Sequence, residues 1–433
     1  MNAQQIPLKI GGYNINIINM PSNNVYVASF LDGGCIYETT QVAGINHLLE
    51  HILVNSWSKC NKEMSCFKYF DKYPVYFNAT TTTTYINYYI NGLRSKLVEM
   101  IEYIFEIMIN PNIKEAIVNT EKEIVMNELQ NYLNMPDQLL EFKKNQVFYN
   151  NSHIINFYDN KLQLDNLAKI TYADIIKYYK KIYQPKNVHF YICGRFNDKQ
   201  LQTIKEVCQR MISAQSMVVN DQPLRYYKNV FTYKPGLIYH KNNQACNTTF
   251  IISIPFASFE MQYIDHLTIN VVAKILQTGL FDLLRTQKQL LYGIFAVPET
   301  SYYGAAMHIT GSCVDANIKT IFVNIFRHLF DLQTQPIPFD ILKSEQARWQ
   351  MKLNDQAITP LLICTFYESQ RRLTCNKPKK RTYTYNDTQD MIDAITHKNI
   401  SKILEKLDIS KAAVGYTSKR PTTMDLATIL SRG

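Results

Sequence analysis

The chain has 433 residues, more than one hydrophobic core ordinarily holds, so at least two domains are expected. Its 46% apolar and 19% charged content is that of an ordinary soluble globular protein. The formal net charge of +10 is dispersed, and with no aromatic–basic interleaving it argues against a nucleic-acid-binding protein. The one dense basic run, Lys377–Arg381, reads as a solvated loop. Nine cysteines, Cys35, Cys193 and Cys313 among them, form no Cys-x-x-Cys pair, which argues against a thiolate zinc site and a disulfide framework. Reduced thiols are expected. The first twenty residues show no signal or transit pattern and no apolar run approaches the roughly eighteen residues of a membrane span, so a cytosolic protein is expected.

In chain order, Asn24–Phe30 alternates as a half-buried strand, and a helix follows over about 42–56. Helical periodicity returns at Leu93–Ile109 and Ile113–Leu133. A further helix near Tyr172–Tyr183 leads into a strand from Val188 to Ile192, closed by Cys193-Gly194. A similar order recurs near an offset of 221 residues, with strands at Cys246–Pro255 and Ala412–Gly415 and a helix at Ile264–Ile275. The fold class is α+β: two structurally similar domains, each a mainly antiparallel sheet packed with helices. The limit falls in Ser213–Asn229, giving domains 1–215 and 230–433.

The first copy carries Gly44-Ile45-Asn46-His47-Leu48-Leu49-Glu50-His51. Residues four apart share a helix face, so His47 and His51 reach one metal ion, with Glu50 close enough to touch water on it. The order His-x-x-Glu-His is that of the inverted zincins, or inverzincins. The second copy places Thr268, Val271 and Val272 opposite His47, Glu50 and His51 and lacks the site. A third protein ligand is required. The helix Ile113–Leu133 offers Glu121 and Glu128, two turns apart on a face otherwise lined by Ile117 and Val125. Carboxylates on an inward face need a compensating charge or metal.

His47-Leu48-Leu49-Glu50-His51 followed by Glu128, with 76 residues between His51 and Glu128, resembles the pitrilysin family of metallopeptidases, which includes insulin-degrading enzyme and mitochondrial processing peptidase. Asp32-Gly33-Gly34-Cys35-Ile36-Tyr37-Glu38 and Gly44 resemble the family's approach to its histidine helix. Asn78-Ala79, with Thr81, Asn87, Tyr88 and Tyr89, resembles its substrate-holding edge strand, although Ile86 stands where a Thr is usual. The resemblance implies that His47, His51 and Glu128 ligate Zn2+, that Glu50 is the general base, and that Glu121 orients a ligand histidine. It implies an edge strand near Asn78–Tyr85, with Asn78, Ala79, Thr80 and Thr81 binding peptide through the backbone.

Farther on, Arg285 and Tyr292 stand seven apart, expected on one helix face. They resemble the Arg/Tyr pair that the family presents to substrate from a second-half domain, where both can donate to a developing oxyanion. The chain is one half of the larger members and carries both motifs. The resemblance therefore implies a homodimer, with each zinc facing Arg285 and Tyr292 of the other subunit. The expected activity is zinc-dependent endopeptidase action on unfolded peptides or a specific precursor, with no membrane or nucleic-acid partner. The rival within the family is a non-catalytic scaffold member, but such members usually lose zinc ligands.

Overall fold

Seven consecutive buried residues, Val188–Gly194, mark the centre of the first sheet in the computed structural model, because a central strand covered on both faces has no outward side for polar residues. The structure describes residues 3–60, 66–150, 153–215, 231–244, 246–257, 261–301, 304–355, 359–374 and 383–431. The limit expected at Ser213–Asn229 lies almost wholly outside these residues, and so does the basic run Lys377–Arg381.

Two compact units divide the chain. The first comprises Met1–Asn131, Asp159–Lys228 and Ile358–Glu368; the second comprises Tyr132–Tyr158, Asn229–Ala357 and Ser369–Gly433. In the first, strands β1 (Gln4–Ile10), β2 (Tyr13–Asn19), β3 (Asn24–Asp32), β4 (Val75–Thr81), β5 (Tyr85–Leu93) and β6 (Val188–Gly194) lie in the order β1-β2-β6-β3-β5-β4. Only β2 and β6 run parallel. In the second, β7 (Gly236–Lys241), β8 (Thr248–Pro255), β9 (Leu291–Ser301), β10 (Gly304–Cys313) and β11 (Ala413–Ser418) lie in the order β7-β11-β8-β10-β9, again with one parallel pair, β7 and β11. Setting β7 against β2 and continuing across gives the same path with the same strand senses. The fold is therefore α+β and duplicated.

Each sheet ends on a strand with one unpaired edge among the described residues, β4 in the first unit and β9 in the second. Along β4, Tyr76, Asn78 and Thr80 are exposed, while Phe77 and Ala79 are buried, the period of two expected of an edge strand with one covered face. The threonine run does not continue as strand beyond Thr81. Thr82–Thr84 make the turn into β5, held by Thr82 Oγ1, which donates to Tyr85 O at 2.9 Å and accepts from Tyr85 N at 3.1 Å. Side-chain hydroxyls that bond the nearby backbone compete with the sheet ladder, which favours a turn here.

In the second unit the helix Pro136–Phe148 packs on β7, β8 and β11. It delivers Lys144, 1% exposed, whose Nζ donates to Ser253 Oγ at 2.7 Å. Ser253 Oγ lies 2.8 Å from His308 Nδ1, and His308 Nε2 lies 3.1 Å from Glu299 Oε2, which also accepts from Tyr149 OH. Burial pushes Lys144 down to about 8, against the pull of Glu141 and Glu299. Nothing in the sequence periodicity marked this chain of contacts.

Two expectations are corrected. Cys60 and Cys66 are joined by a disulfide, whereas Cys35, Cys193, Cys208, Cys246, Cys313 and Cys364 are free thiols. The half-cystines sit beside Trp57 and Phe70, whose rings stack at 5.4 Å. Helical segment Tyr263–Gln287, at 25 residues, does have the length and apolarity of a membrane span. More than half of its apolar window is buried, 56%, because it is the core helix laid against β9.

Candidate active site

The histidine helix spans Ile45–Val54, shorter than the expected 42–56, because Gly44 before it has φ +94°. Only glycine occupies that region without strain, and a Cβ there would also meet the Gln163 side chain at 3.1 Å. Ile45, Leu48, Leu49, Ile52 and Leu53 are buried, so the opposite stripe, His47, Glu50 and His51, is half-buried and faces outward from the core. A glycine N-cap has no side chain to satisfy the first N–H groups. Glu38 does so instead, its two oxygens accepting from Gly44 N at 2.9 Å and Asn46 N at 2.8 Å. The carboxylate is fully buried, and burial raises it to about 7 despite these bonds.

The second helix, Glu115–Leu133, buries Val118, Glu121, Val125 and Leu129, a stripe of three- and four-residue steps. Glu128 lies half-buried beside it. Its Oε2 is 3.7 Å from both His47 Nε2 and His51 Nε2. The three residues offer ligand atoms that all lie within 4.8 Å of one another. Tetrahedral zinc with bonds of about 2.0–2.1 Å sets its donors about 3.4 Å apart. The two imidazoles and one carboxylate therefore fit the ion with a small inward closure and leave a fourth position open.

Glu121, 8% exposed, lies with its Oε2 3.4 Å from His51 Nδ1, the nitrogen turned away from the cluster. Asn55 holds it, Nδ2 donating to Glu121 Oε1 at 3.0 Å. The role of Asn55 was missed in the sequence, although it stands four after His51 and so on the same face. Burial, reinforced by the charge of His51, lowers His47 to about 4, which keeps it in the neutral form a metal requires. Burial would lower His51 too, but the hydrogen bond it donates to Glu121 and the charges of Glu50 and Glu121 outweigh it and raise it. Burial raises Glu50, partly offset by the neighbouring Thr81 at the end of β4 and by the charge of His51.

Of the edge-strand residues, Ala79 is buried and Thr81 half-buried on one face, while Asn78 and Thr80 are exposed on the other. In the second unit, Arg285 and Tyr292 do meet, with the guanidinium carbon 5.2 Å from the ring centroid. They do not share a helix. The helix Tyr263–Phe281 runs into a π-helical turn, Asp282–Gln287, and Tyr292 is already on β9. Gln289, at φ +53°, reverses the chain between them, and the aromatic and branched residues from Leu291 to Phe295 favour strand. The pair lines a cavity of about 600 Å³ with Phe281, Gln289, Val314 and Asn317, and Tyr292 is 73% exposed.

The family model for insulinase (peptidase family M16) matches residues 15–156, and that for the peptidase M16 inactive domain matches 169–348. The chain is 21% identical to the mitochondrial-processing peptidase subunit beta of Dictyostelium discoideum over 42% of its length and 38% of that protein. It is 26% identical to the zinc protease PqqE of Helicobacter pylori over 46% of its length and 44% of that protein. The matched region thus spans under half the length of these curated relatives. In fold, a protease from Helicobacter pylori superposes with a TM-score of 0.82 at 15% identity, covering 96% of this chain and all of that one. An M16-like peptidase from Alicyclobacillus acidocaldarius gives 0.80 at 14% identity, over 96% and 98% of the two chains. With both halves matched and the duplicated fold shared end to end, the chain belongs to the M16, or insulinase, family of peptidases.

Proposed function

We propose that the protein is a zinc-dependent endopeptidase of unfolded peptides or of a specific precursor. The observation that carries this is the convergence of His47, His51 and Glu128 on one point, with Glu50 beside them and outside the donor set. Zinc held there supplies a Lewis acid that polarises the scissile carbonyl and makes water acidic near neutrality. Glu50 takes the proton from the attacking water and returns it to the departing amine, a task suited to a carboxylate raised by burial. Glu121, steadied by Asn55, fixes which nitrogen of His51 faces the metal. The free edge of β4 pairs with the backbone of an extended peptide, which gives tolerance for many side chains.

Arg285 and Tyr292 present a cation and a phenol side by side in an open cavity, suited to a substrate carbonyl and its developing negative charge. We place them opposite the zinc of a second subunit in a homodimer. Zinc-loaded protein is expected to cleave a quenched fluorogenic peptide mixture, with turnover lost to a chelator and in Glu50→Gln. Stoichiometric zinc without turnover in the unaltered protein would instead favour a scaffold member of the family or a missing partner subunit.

A further inference from the structure

The histidine helix lacks a capping side chain at its own N-terminus, and the position of His47 depends on how that first turn is held. His47 is the third helical residue, within the turn whose N–H groups have no intrahelical acceptor. Glu38 reaches it from six residues before Gly44 and bonds two of those groups, Gly44 N and Asn46 N. Asn46, the residue just before His47, is tied again through its side chain. Its Nδ2 lies 3.3 Å from Gly34 O and 3.2 Å from Tyr178 OH. Glu38 and Asn46 are both 0% exposed, so bulk water does not reach these bonds. In its ionised form the carboxylate also complements the helix dipole.

The metal donors come from two different helices. His47 and His51 ride on one, Glu128 on the other. Of the contacts above, the Glu38 carboxylate holds the backbone of the histidine helix's first turn, and the Asn46 side chain ties the same turn to Gly34 and Tyr178. A ligand must be held within about 0.5 Å of its working place for a metal site to form. We propose that Glu38 is a positioning residue: by clamping the first turn of the histidine helix it sets His47 in register with His51 and Glu128. The proposal rests on the zinc-site reading above and extends it to a residue that touches neither metal nor substrate.

Glu38→Gln keeps the shape but turns one acceptor into a donor facing an N–H group, and Glu38→Asp keeps the charge on a shorter arm. Asn197→Ala is the control, since Asn197 caps the helix Asp198–Ser213 in the same unit, accepting from Gln200 N at 2.9 Å. Zinc affinity is measured by competition with a chelator, and the visible absorption of the cobalt(II) form reports donor geometry. Glu38→Gln is expected to weaken zinc about tenfold or more and to alter the cobalt spectrum. Where turnover is measurable, kcat should fall with KM unchanged, and Glu38→Asp should fall between the two. Asn197→Ala should lower the melting temperature and leave zinc affinity and spectrum as they were. Wild-type zinc affinity and an unaltered cobalt spectrum in Glu38→Gln overturn the proposal; should that variant not fold, the same two readings on Glu38→Asp decide. Zinc binding without hydrolysis in the unaltered protein sinks the peptidase reading alone, whereas failure to bind zinc sinks both.

Discussion

Glu50, Glu121 and Glu128 are one side-chain type in three settings, and the setting assigns the work. Glu128 points an oxygen at both histidines, Glu121 reaches only the far nitrogen of His51, and Glu50 reaches Thr81. Glu128→Gln is therefore expected to abolish stoichiometric zinc binding, read by metal analysis after gel filtration. Glu50→Gln should retain zinc and lose about 10²–10⁴ in kcat, the range for removing a general base. Asn55→Ala removes the group that steadies Glu121, and a loss of about 10–100-fold in zinc affinity is expected. Unchanged affinity would leave Asn55 as a mere helix-end contact. The grouping of His47, Glu50 and His51 was legible because it is local: a ten-residue helix brings them to one face by spacing alone, whereas the roles of Glu121 and Glu128 came from the family resemblance. Asn55 and Glu38 were not legible, since their partners are set by tertiary packing and a turn, which residue spacing does not report.

Elements with strong period were also legible. The helices Leu97–Ile109 and Glu115–Leu133 stand within a few residues of where apolar spacing put them. The failure came at Arg285 and Tyr292, where a π-turn and a left-handed Gln289 interrupt a pattern that reads as continuous helix. At Gly44 the backbone alone sets the outcome. Gly44→Ala should cost about 1–2 kcal/mol for the left-handed conformation, with Gln163 also forced to give, and urea unfolding measures it. Lys144 tests the packing of helix Pro136–Phe148 on its sheet. Its folded value, about 8, lies below its unfolded one, 10.5, so the unfolded chain holds more protons between them. Its burial thus weakens the fold below pH 8, and that penalty fades as pH rises toward 10.5. Compared with Lys144→Met, the unaltered protein should gain stability across this window by on the order of 3 kcal/mol. Taking the difference cancels the buried thiols, which titrate in the opposite sense. A flat difference would mean that Lys144 keeps its charge at no cost.

At the scale of the whole molecule, the duplication was legible as element order. If the active site is shared between subunits, Glu50→Gln and Arg285→Ala proteins, each inactive, should regain turnover when mixed and allowed to exchange. Mixed dimers with no activity would place Arg285 on the zinc of its own chain or away from catalysis. The sequence bore no mark of the exchange of segments, because the helix Pro136–Phe148 has the same apolar stripe whichever sheet it covers. That exchange reaches into the protein's synthesis. The first unit draws on Ile358–Glu368, so a ribosome must have passed Glu368 before that unit has all its parts. The histidine helix and its glutamate partner leave the exit tunnel long before then, and at about 5–20 residues per second the wait lasts on the order of ten seconds or more. During that interval Tyr191, on the central strand of the first sheet, lacks Glu368, which accepts from its OH at 2.9 Å in the finished fold, and a strand left without its late cover is a place for a chaperone to bind.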